Sequence, residues 1–140
     1  MKKILCLVFA FLTLVSLCGC GKSATLDTIT TVKEDSFTNA KVILFKDERG
    51  EVLFYNSDIE RVFARDSDEN GYYIELEMTK DGAEKLRDAT RRLVGESIKM
   101  YINDIPVVSA MVVAEIKGGS FILSRHTTEE EMLLMFDRLT

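Results

Sequence analysis

Apolar and polar residues alternate along several short segments of the chain, with the period of two that strands show when one face is buried. The clearest segment is Tyr72–Met78, because its apolar side chains fall on one face and both of its glutamates on the other. Val42–Phe45 and Val52–Tyr55 are two further strand-like segments, joined by a polar turn that ends at Gly50. A glycine there adopts a positive φ easily, so these two segments predict a hairpin.

Strand-like segments also follow one another in the second half of the chain, separated by turn residues. Ile98–Ile102 alternates and stops at Asn103-Asp104, and Gly118-Gly119 turns the chain into Phe121–Leu123. Between them lies the long apolar run Val107–Ile116. Its composition predicts one buried strand or two short ones.

Two segments show the spacing of three and four residues that marks an amphipathic helix. The first has a predicted N-cap at Thr79 and a left-handed stop at Gly95. The second begins with a capping box formed by Thr128 and the glutamates that follow it. The stripes predicted to be buried are Ala83, Leu86, Thr90, Leu93 and Val94 in the first helix and Met132, Leu133, Phe136 and Leu139 in the second. Strands interleaved with two such helices predict an α+β fold, an antiparallel sheet with both helices packed on one face.

The N-terminus has the order of an export signal, in which Lys2 and Lys3 precede an apolar run that ends in small residues. Leu17-Cys18-Gly19-Cys20 matches a lipobox, which predicts cleavage before Cys20 and acylation of its thiol. The alternative is an ordinary signal peptide cleaved at another position. We therefore expect a lipoprotein signal peptide over residues 1–19 and a lipidated tether over 20–39, with a short strand near Leu26 to Val32. The α+β domain should follow over residues 40–140, and lipid should hold it on the extracytoplasmic face of the cell membrane.

Charge and cysteine content narrow the range of partners. The chain has 18 basic and 23 acidic residues. Removing Lys2 and Lys3 with the signal leaves 16 basic residues against 23 acidic ones, a net charge of −7. Such a surface repels nucleic acid, so no nucleic-acid partner is expected. Because Cys6 and Cys18 leave with the signal and Cys20 is acylated, the domain should fold without a disulfide.

One motif points to a different function, because Asp66-Ser67-Asp68-Glu69-Asn70-Gly71 followed by Glu77 fits the calcium-loop pattern. The ligands would be oxygens of Asp66, Asp68, Asn70 and Glu77. Against this, Asn70-Gly71 is also the commonest hairpin turn, and the segment after it alternates like a strand rather than a helix. We therefore predict an acidic hairpin and no metal, with a calcium- or ligand-sensing lipoprotein as the alternative function.

Candidate catalytic groups are few. His126, the single histidine, lies just before a helix, where an exposed position near the cap is expected. Glu75 and Glu77 share a strand face at roughly 7 Å, a separation that glycosidases use, but solvated strand carboxylates are commoner. The sequence has no His cluster and no Gly-rich phosphate loop. We predict a protein that is not an enzyme and needs no cofactor. Met132 and Met135 could form an adaptable peptide-binding face, although core packing is the preferred interpretation.

A resemblance to a known family lies in the segment YYIELEMTKDGAEKLRDATRRLVGESIKMYINDIPVVSAMVVAEIKGGSFILSRHTTEEE. Its order of elements resembles the head part of the first extracytoplasmic domain of SecD, the protein-export membrane component. The resemblance covers about half of the precursor and depends on order and spacing, because no single element is specific. The matching positions are Gly82, Ala83, Thr90, Gly95, Asp104, Ser109, Ala110, Gly118, Gly119 and Glu129 to Glu130.

The chain departs from the family at three loop positions. Ile105 stands where the family usually has Gly, Met111 where it has Pro, and Arg125 where Gly is common. SecD, with SecF, uses transmembrane helices to couple proton flow to the pulling of exported chains, and no second apolar run of spanning length follows the predicted signal. The resemblance therefore implies a detached head module without the motor. We expect a lipid-anchored binding module that contacts exported polypeptide or an envelope protein.

Overall fold

The computed structural model describes residues 28–37 and 40–140, which form eight strands, two α-helices and one 3-10 turn. The predicted signal peptide, Cys20 and the first part of the predicted tether lie outside these residues. Within them, no helix is both long and apolar enough to cross a membrane. The elements are β1 (Ile29–Ser36), β2 (Ile43–Lys46), β3 (Val52–Tyr55), a 3-10 turn (Asn56–Asp58), β4 (Ile59–Ser67), β5 (Gly71–Met78), α1 (Lys80–Arg92), β6 (Ser97–Ile102), β7 (Ile105–Met111), β8 (Ser120–His126) and α2 (Glu129–Leu139).

The strands form two four-stranded sheets rather than one. The first sheet has the order β1-β4-β5-β8 and the second the order β3-β2-β6-β7, and every pairing is antiparallel. The α+β class and the antiparallel pairing are confirmed, whereas the single sheet needs correction. The division arises because the β2–β3 hairpin pairs with β6 instead of β4. The chain therefore leaves the first sheet through α1 and returns to it at β8.

The two helices pack differently. Helix α2 contacts β4, β5 and β8 of the first sheet. Helix α1 contacts β5 of the first sheet, β3 of the second and the 3-10 turn. The prediction that both helices lie on one face of a single sheet is therefore not confirmed. Strand β1 occupies part of the segment expected to be tether, and it pairs with β4 from Ile29 to Ser36.

One apolar core lies between the elements of both sheets and the two helices. Met132 is fully buried in it, in agreement with the core interpretation of that residue. A smaller cluster of Ala89, Leu93 and Val112 lies where the end of α1 meets the segment after β7. The largest fully buried side chains of the main core are Phe45, Phe54, Phe136, Ile43, Ile74, Leu76, Leu86, Met100, Met132 and Leu139.

The predicted helix ends are confirmed. Thr79 is the N-cap of α1, and its side chain accepts a hydrogen bond from the backbone N–H of Gly82. Gly95 has a φ of 88°, as expected for a left-handed stop. In the second helix, Thr128 accepts from the N–H of Glu131 at 3.2 Å, but the Glu131 carboxylate accepts from the N–H of Thr127 rather than of Thr128, so only half of the predicted capping box forms. Val94 was expected on the buried stripe, but it is 55% exposed because α1 ends at Arg92 and Val94 lies beyond its cap.

The prediction of one buried strand or two short ones over Val107–Ile116 is confirmed for a strand as far as Met111, but it is wrong about burial and about residues 112–116. Strand β7 ends at Met111 and forms the edge of the second sheet, so much of it faces solvent. Residues 112–119, which we call the β7–β8 loop, then cross to the first sheet. Asn103 and Asp104 have φ values of 48° and 66° in the two-residue turn between β6 and β7. The apolar run therefore lies in an exposed edge strand and a loop, not in the interior of a sheet.

Candidate binding groove

An open apolar groove of about 530 Å³ lies between the two sheets. Its floor comes from one face of the second sheet, where Phe45, Met100 and Val108 pair across neighbouring strands. Helix α1 contributes Leu86 and Thr90 to one side, together with the beginning of the β7–β8 loop. Strand β8 of the first sheet forms the other side. The groove is thus a product of the division into two sheets.

Three phenylalanines form the aromatic part of the groove. The rings of Phe45 and Phe54 are stacked with centroids 4.4 Å apart. Phe121 meets both rings edge-on, at 6.2 Å from each. Stacked and edge-to-face contacts at these separations are favourable beyond the area that they bury, so the aromatic surface has a fixed shape.

Backbone and side-chain hydrogen bonds hold the β7–β8 loop at three points. At its start, Val112 donates to the carbonyl of Glu96 at 2.9 Å and accepts from the N–H of Gly95 at 2.8 Å. In its middle, the N–H of Ile116 donates to Thr90 Oγ1 at 2.9 Å. At its end, the carbonyl of Gly119 accepts from the N–H of Met78 at 2.9 Å. This wall of the groove is therefore fixed to the turn between α1 and β6, to α1 itself and to β5.

The N-terminus of α1 is held against the 3-10 turn by a close backbone approach. The Asp58 carbonyl accepts from the N–H of Thr79 at 2.9 Å and from its hydroxyl at 3.2 Å. A Cβ at Gly82 would overlap that carbonyl oxygen and lie 2.9 Å from its carbon. The buried Asp58 carboxylate accepts from the N–H of Tyr55 at 2.9 Å and pairs with Lys85 at 2.7 Å. Position 82 therefore requires glycine because a Cβ would collide with the backbone of Asp58, not because the residue has a positive φ.

Several positions of the SecD resemblance come together around the groove. Gly82 and Ala83 lie at the start of α1, and a Cβ at Gly119 would lie 3.3 Å from that of Ala83. Thr90 holds the β7–β8 loop from the other end of the helix, and Ala110 lines the groove from β7. The remaining positions occupy turns or surface: Gly95, Asp104, Ser109, Gly118 and the α2 residues Glu129 and Glu130.

The calcium-loop residues do not converge. Asp66 and Asn70 lie at the β4–β5 turn, whereas Glu77 lies six residues along β5 from Gly71, roughly 20 Å at the usual rise of a strand. Glu77 pairs instead with Arg61 at 2.8 Å. Among residues 28–37 and 40–140, no group of three or more acidic, histidine or cysteine side chains is arranged to hold a metal ion.

The carboxylates considered for catalysis are also engaged in ion pairs. Glu75 pairs with Arg65, and Arg61 bridges Glu77 and Glu34. The hydrogen bond to Glu34 is the largest of the effects that raise the pKa of Arg61. These residues form a row of ion pairs across the first sheet. The ion pairs account for the presence of Glu75 and Glu77 on this face, so no substrate is needed to explain them.

Two other titratable groups have shifted pKa values. Burial lowers the pKa of His126, partly offset by Glu131, and its ring lies 2.9 Å from the hydroxyl of Ser124. Burial tends to raise the pKa of Asp47. The hydrogen bonds donated by the backbone of Glu51 and by the backbone and side chain of Arg49 outweigh it and lower that pKa below its ordinary value. Asp47 thus orders the β2–β3 turn.

The groove itself was not predicted from the sequence. The sequence pattern around Phe45, Phe54 and Phe121 predicts only that they are buried residues of ordinary strands. The structural role of Asp58 could not be predicted either, because none of its neighbours in the sequence indicates that the N-terminus of a helix packs against its carbonyl. The sequence feature that could have indicated the groove is the apolar run 107–116, which extends beyond the end of the strand that it contains.

Comparison with known proteins supports the fold. No family model and no curated protein matches the chain. A crystal structure of SecDF in a super-membrane-facing form is similar, with a TM-score of 0.52 and 23% identity over 59% of this chain and 11% of that one. A second SecDF structure, of a membrane component that enhances protein export, has a TM-score of 0.52 and 22% identity. This second match covers 60% of this chain and 38% of the SecDF chain. The chain thus has a SecD-like fold and spans well under half of either structure.

Proposed function

We propose that this chain is a non-enzymatic module, held on the outer face of the membrane by lipid on Cys20, that binds exported polypeptide or an envelope protein. The groove is the observation that carries the proposal. The SecD-like fold supports it, because the similar SecDF protein is a membrane component that enhances protein export.

The lining of the groove fits a polypeptide better than a polar metabolite. Small-molecule sites usually combine an apolar surface with a few convergent polar groups. Here the polar side chains among the described lining residues are Glu115, Arg125, Thr90, Ser120 and Ser124. The hydroxyl of Thr90 is already bonded to the N–H of Ile116, and that of Ser124 lies 2.9 Å from the ring of His126. An apolar side chain of a partner is therefore the group that the groove accommodates best.

The rim of the groove also exposes apolar side chains. Met111 is 67% exposed and Val113 is 82% exposed, and both line the groove at the end of β7. Contiguous apolar surface of this kind marks interaction sites in soluble domains. Methionine is flexible and polarizable, which favours a surface that accepts different sequences. The proposed partner is accordingly an unfolded chain rather than one rigid epitope.

Attachment at Cys20 would set which end of the domain faces the membrane. Nine residue steps separate Cys20 from Ile29, a reach of at most about 30 Å. Ile29 pairs with Ser67, so the tether would enter beside the acidic β4–β5 turn that contains Asp68 and Glu69. Anionic headgroups repel that turn. The end of the domain that carries the β4–β5 turn would therefore be nearest the tether and would be held off the lipid surface by its own charge.

Acylation can be tested in a bacterial host that processes lipoproteins. The wild-type chain should incorporate an alkynyl palmitate analogue and fractionate with the membrane. Cys20→Ala should lose both properties. A wild-type chain that stays unlabelled in the cytosol would contradict the anchoring.

Binding can be tested with a photo-crosslinking residue at Ala110, which lines the groove, and at its neighbour Ser109, which does not line it. Both positions are exposed, so neither substitution should disturb the fold. With a secretory protein of known sequence arrested during export, position 110 should crosslink to it and position 109 should not. Equal crosslinking from both positions, or none, would count against the groove as the binding site.

A further inference from the structure

Strand β8 lines the groove with its edge rather than with one face. All six residues from Ser120 to Arg125 border the groove. A strand face presents only alternate residues, because successive side chains point to opposite sides. The bulge at Leu123, between the pairs Ile74–Ser124 and Glu75–Ile122, accounts for one extra residue but not for an unbroken run of six. The main chain of β8 is therefore accessible from the groove.

On the groove side, strand β7 of the second sheet approaches β8 but does not pair with it in the part of the chain that the structure describes. Strand β8 is the last strand of the first sheet and pairs only with β5 within the residues that the structure describes. The outer N–H and C=O groups of such an edge project sideways and are a template for another strand. By contrast, β7 presents Val108 and Ala110 but not Ser109, so it contributes one face, except at its last residue, Met111, which also lines the groove.

The dimensions of the groove match a short extended segment. A strand advances about 3.3 Å per residue, lies about 4.8 Å from its neighbour and fills a layer about 10 Å thick, roughly 160 Å³ per residue. A groove of about 530 Å³ therefore holds roughly three to four residues in extended form. Alternate side chains of such a segment would contact Val108, Ala110 and Met111, because Phe45 and Met100 are buried beneath the accessible surface of the groove.

We propose that the groove binds its polypeptide partner as an added strand along the free edge of β8, which would extend the first sheet to five strands. This inference rests on the proposed function and specifies its ligand: an extended, uncharged segment with apolar side chains at alternate positions. Main-chain hydrogen bonds to β8 hold the segment whatever its sequence, and the apolar floor selects the side chains. This mode suits a module that must accept many exported chains.

The occupant is a segment of another protein and not a second copy of this chain. Each copy carries a net charge of −7 after signal removal, and like charges oppose association. Strand β1, the opposite edge of the same sheet, carries Lys33, Glu34 and Asp35, which are typical of an edge protected against pairing. Strand β8 has no charged residue before Arg125.

The test measures binding of a fluorescein-labelled octapeptide, alternately valine and threonine, to the full chain purified in detergent. Two further peptides carry N-methyl groups, one on every valine and the other on every threonine. Since the N–H groups of alternate residues point to the same edge of a strand, only one of the two modified peptides should fail to pair with β8. That peptide should lose roughly 10- to 100-fold in affinity, as expected for two or three main-chain hydrogen bonds. The other should bind like the unmodified peptide.

A pair of protein variants locates the site. Ala110→Asp places a charge in the groove and should abolish peptide binding, whereas Ser109→Asp, one residue away on the same strand, should leave it unchanged. Equal affinity of both methylated peptides would overturn the added strand while leaving the groove as a binding site. Failure of the unmodified peptide to bind would overturn the proposed function as well. Sedimentation of the free wild-type chain as a dimer that Ala110→Asp dissociates would identify a second copy as the occupant and overturn the inference.

Discussion

Replacing Gly82 by alanine should destabilise the domain, although glycine in a helix is normally improved by alanine by about 0.5–1 kcal/mol. The added Cβ would overlap the Asp58 carbonyl oxygen and lie 2.9 Å and 3.0 Å from the Asp58 carbonyl carbon and Cβ. Carbon atoms in favourable contact are about 3.5–4.0 Å apart. The helix and the 3-10 turn must therefore separate.

Separation weakens the bonds that join these two elements. The Asp58 carbonyl would lose its alignment with the N–H and the hydroxyl of Thr79, each hydrogen bond contributing about 0.5–1.5 kcal/mol. Overpacking itself costs about 1–3 kcal/mol. After subtracting the gain in helix propensity, we expect the free energy of unfolding to fall by about 2–4 kcal/mol, a large share of the stability of a small domain.

Urea unfolding followed by far-ultraviolet circular dichroism measures this difference. Gly118→Ala is the matched control, because no atom lies within 4 Å of its added Cβ and its φ is not in the left-handed region. The free energy of unfolding of that variant should lie within about 0.5 kcal/mol of the wild-type value or be slightly higher. If Gly82→Ala were as stable as Gly118→Ala, the close approach of α1 to Asp58 would be refuted.

Three further predictions concern the loop wall, the β2–β3 turn and α2. Thr90→Val keeps the shape of the side chain but leaves the N–H of Ile116 without its acceptor, so the free energy of unfolding should fall by about 1–3 kcal/mol in urea titration. The pKa of Asp47 lies below its ordinary value of 3.8 in the folded chain, so its stabilisation is present above that pH and is lost as the pH falls below it. Asp47→Asn should therefore show a weaker loss of stability in acid than wild type when both are titrated. Thr128→Ala removes the N-cap of α2 and should cost about 1 kcal/mol, measured by thermal unfolding.

Sequence reasoning succeeded where a structural feature depends on neighbouring residues. The caps at Thr79 and Thr128 and the stop at Gly95 could be predicted because a helix end is satisfied by side chains within one turn of it. The β2–β3 hairpin could be predicted for the same reason, since its turn residues and its two strands are adjacent. These features fix the elements but not their arrangement.

The errors concern features that depend on distant pairing. Val94 continues the spacing of the helix stripe, but the chain leaves the helix before it. The run Val107–Ile116 is as apolar as a central strand, and only the order β3-β2-β6-β7 places it at an edge. The groove exists because β6 pairs with β2 rather than joining the first sheet, and no local pattern distinguishes those two choices.

Positions that match the SecD pattern and positions that depart from it both line the groove, the former at Thr90 and Ala110. Gly82, Ala83, Thr90 and Gly119 position α1 and the β7–β8 loop, so they preserve the existence of the groove. Met111 and Arg125, which depart from the family pattern, both line it.

A set of residues that maintains a scaffold predicts its fold and carries no information about what the scaffold binds. The resemblance therefore accounts for the shape of this domain, whereas selection of the proposed partner would depend on the exposed lining residues Ala110, Met111 and Arg125.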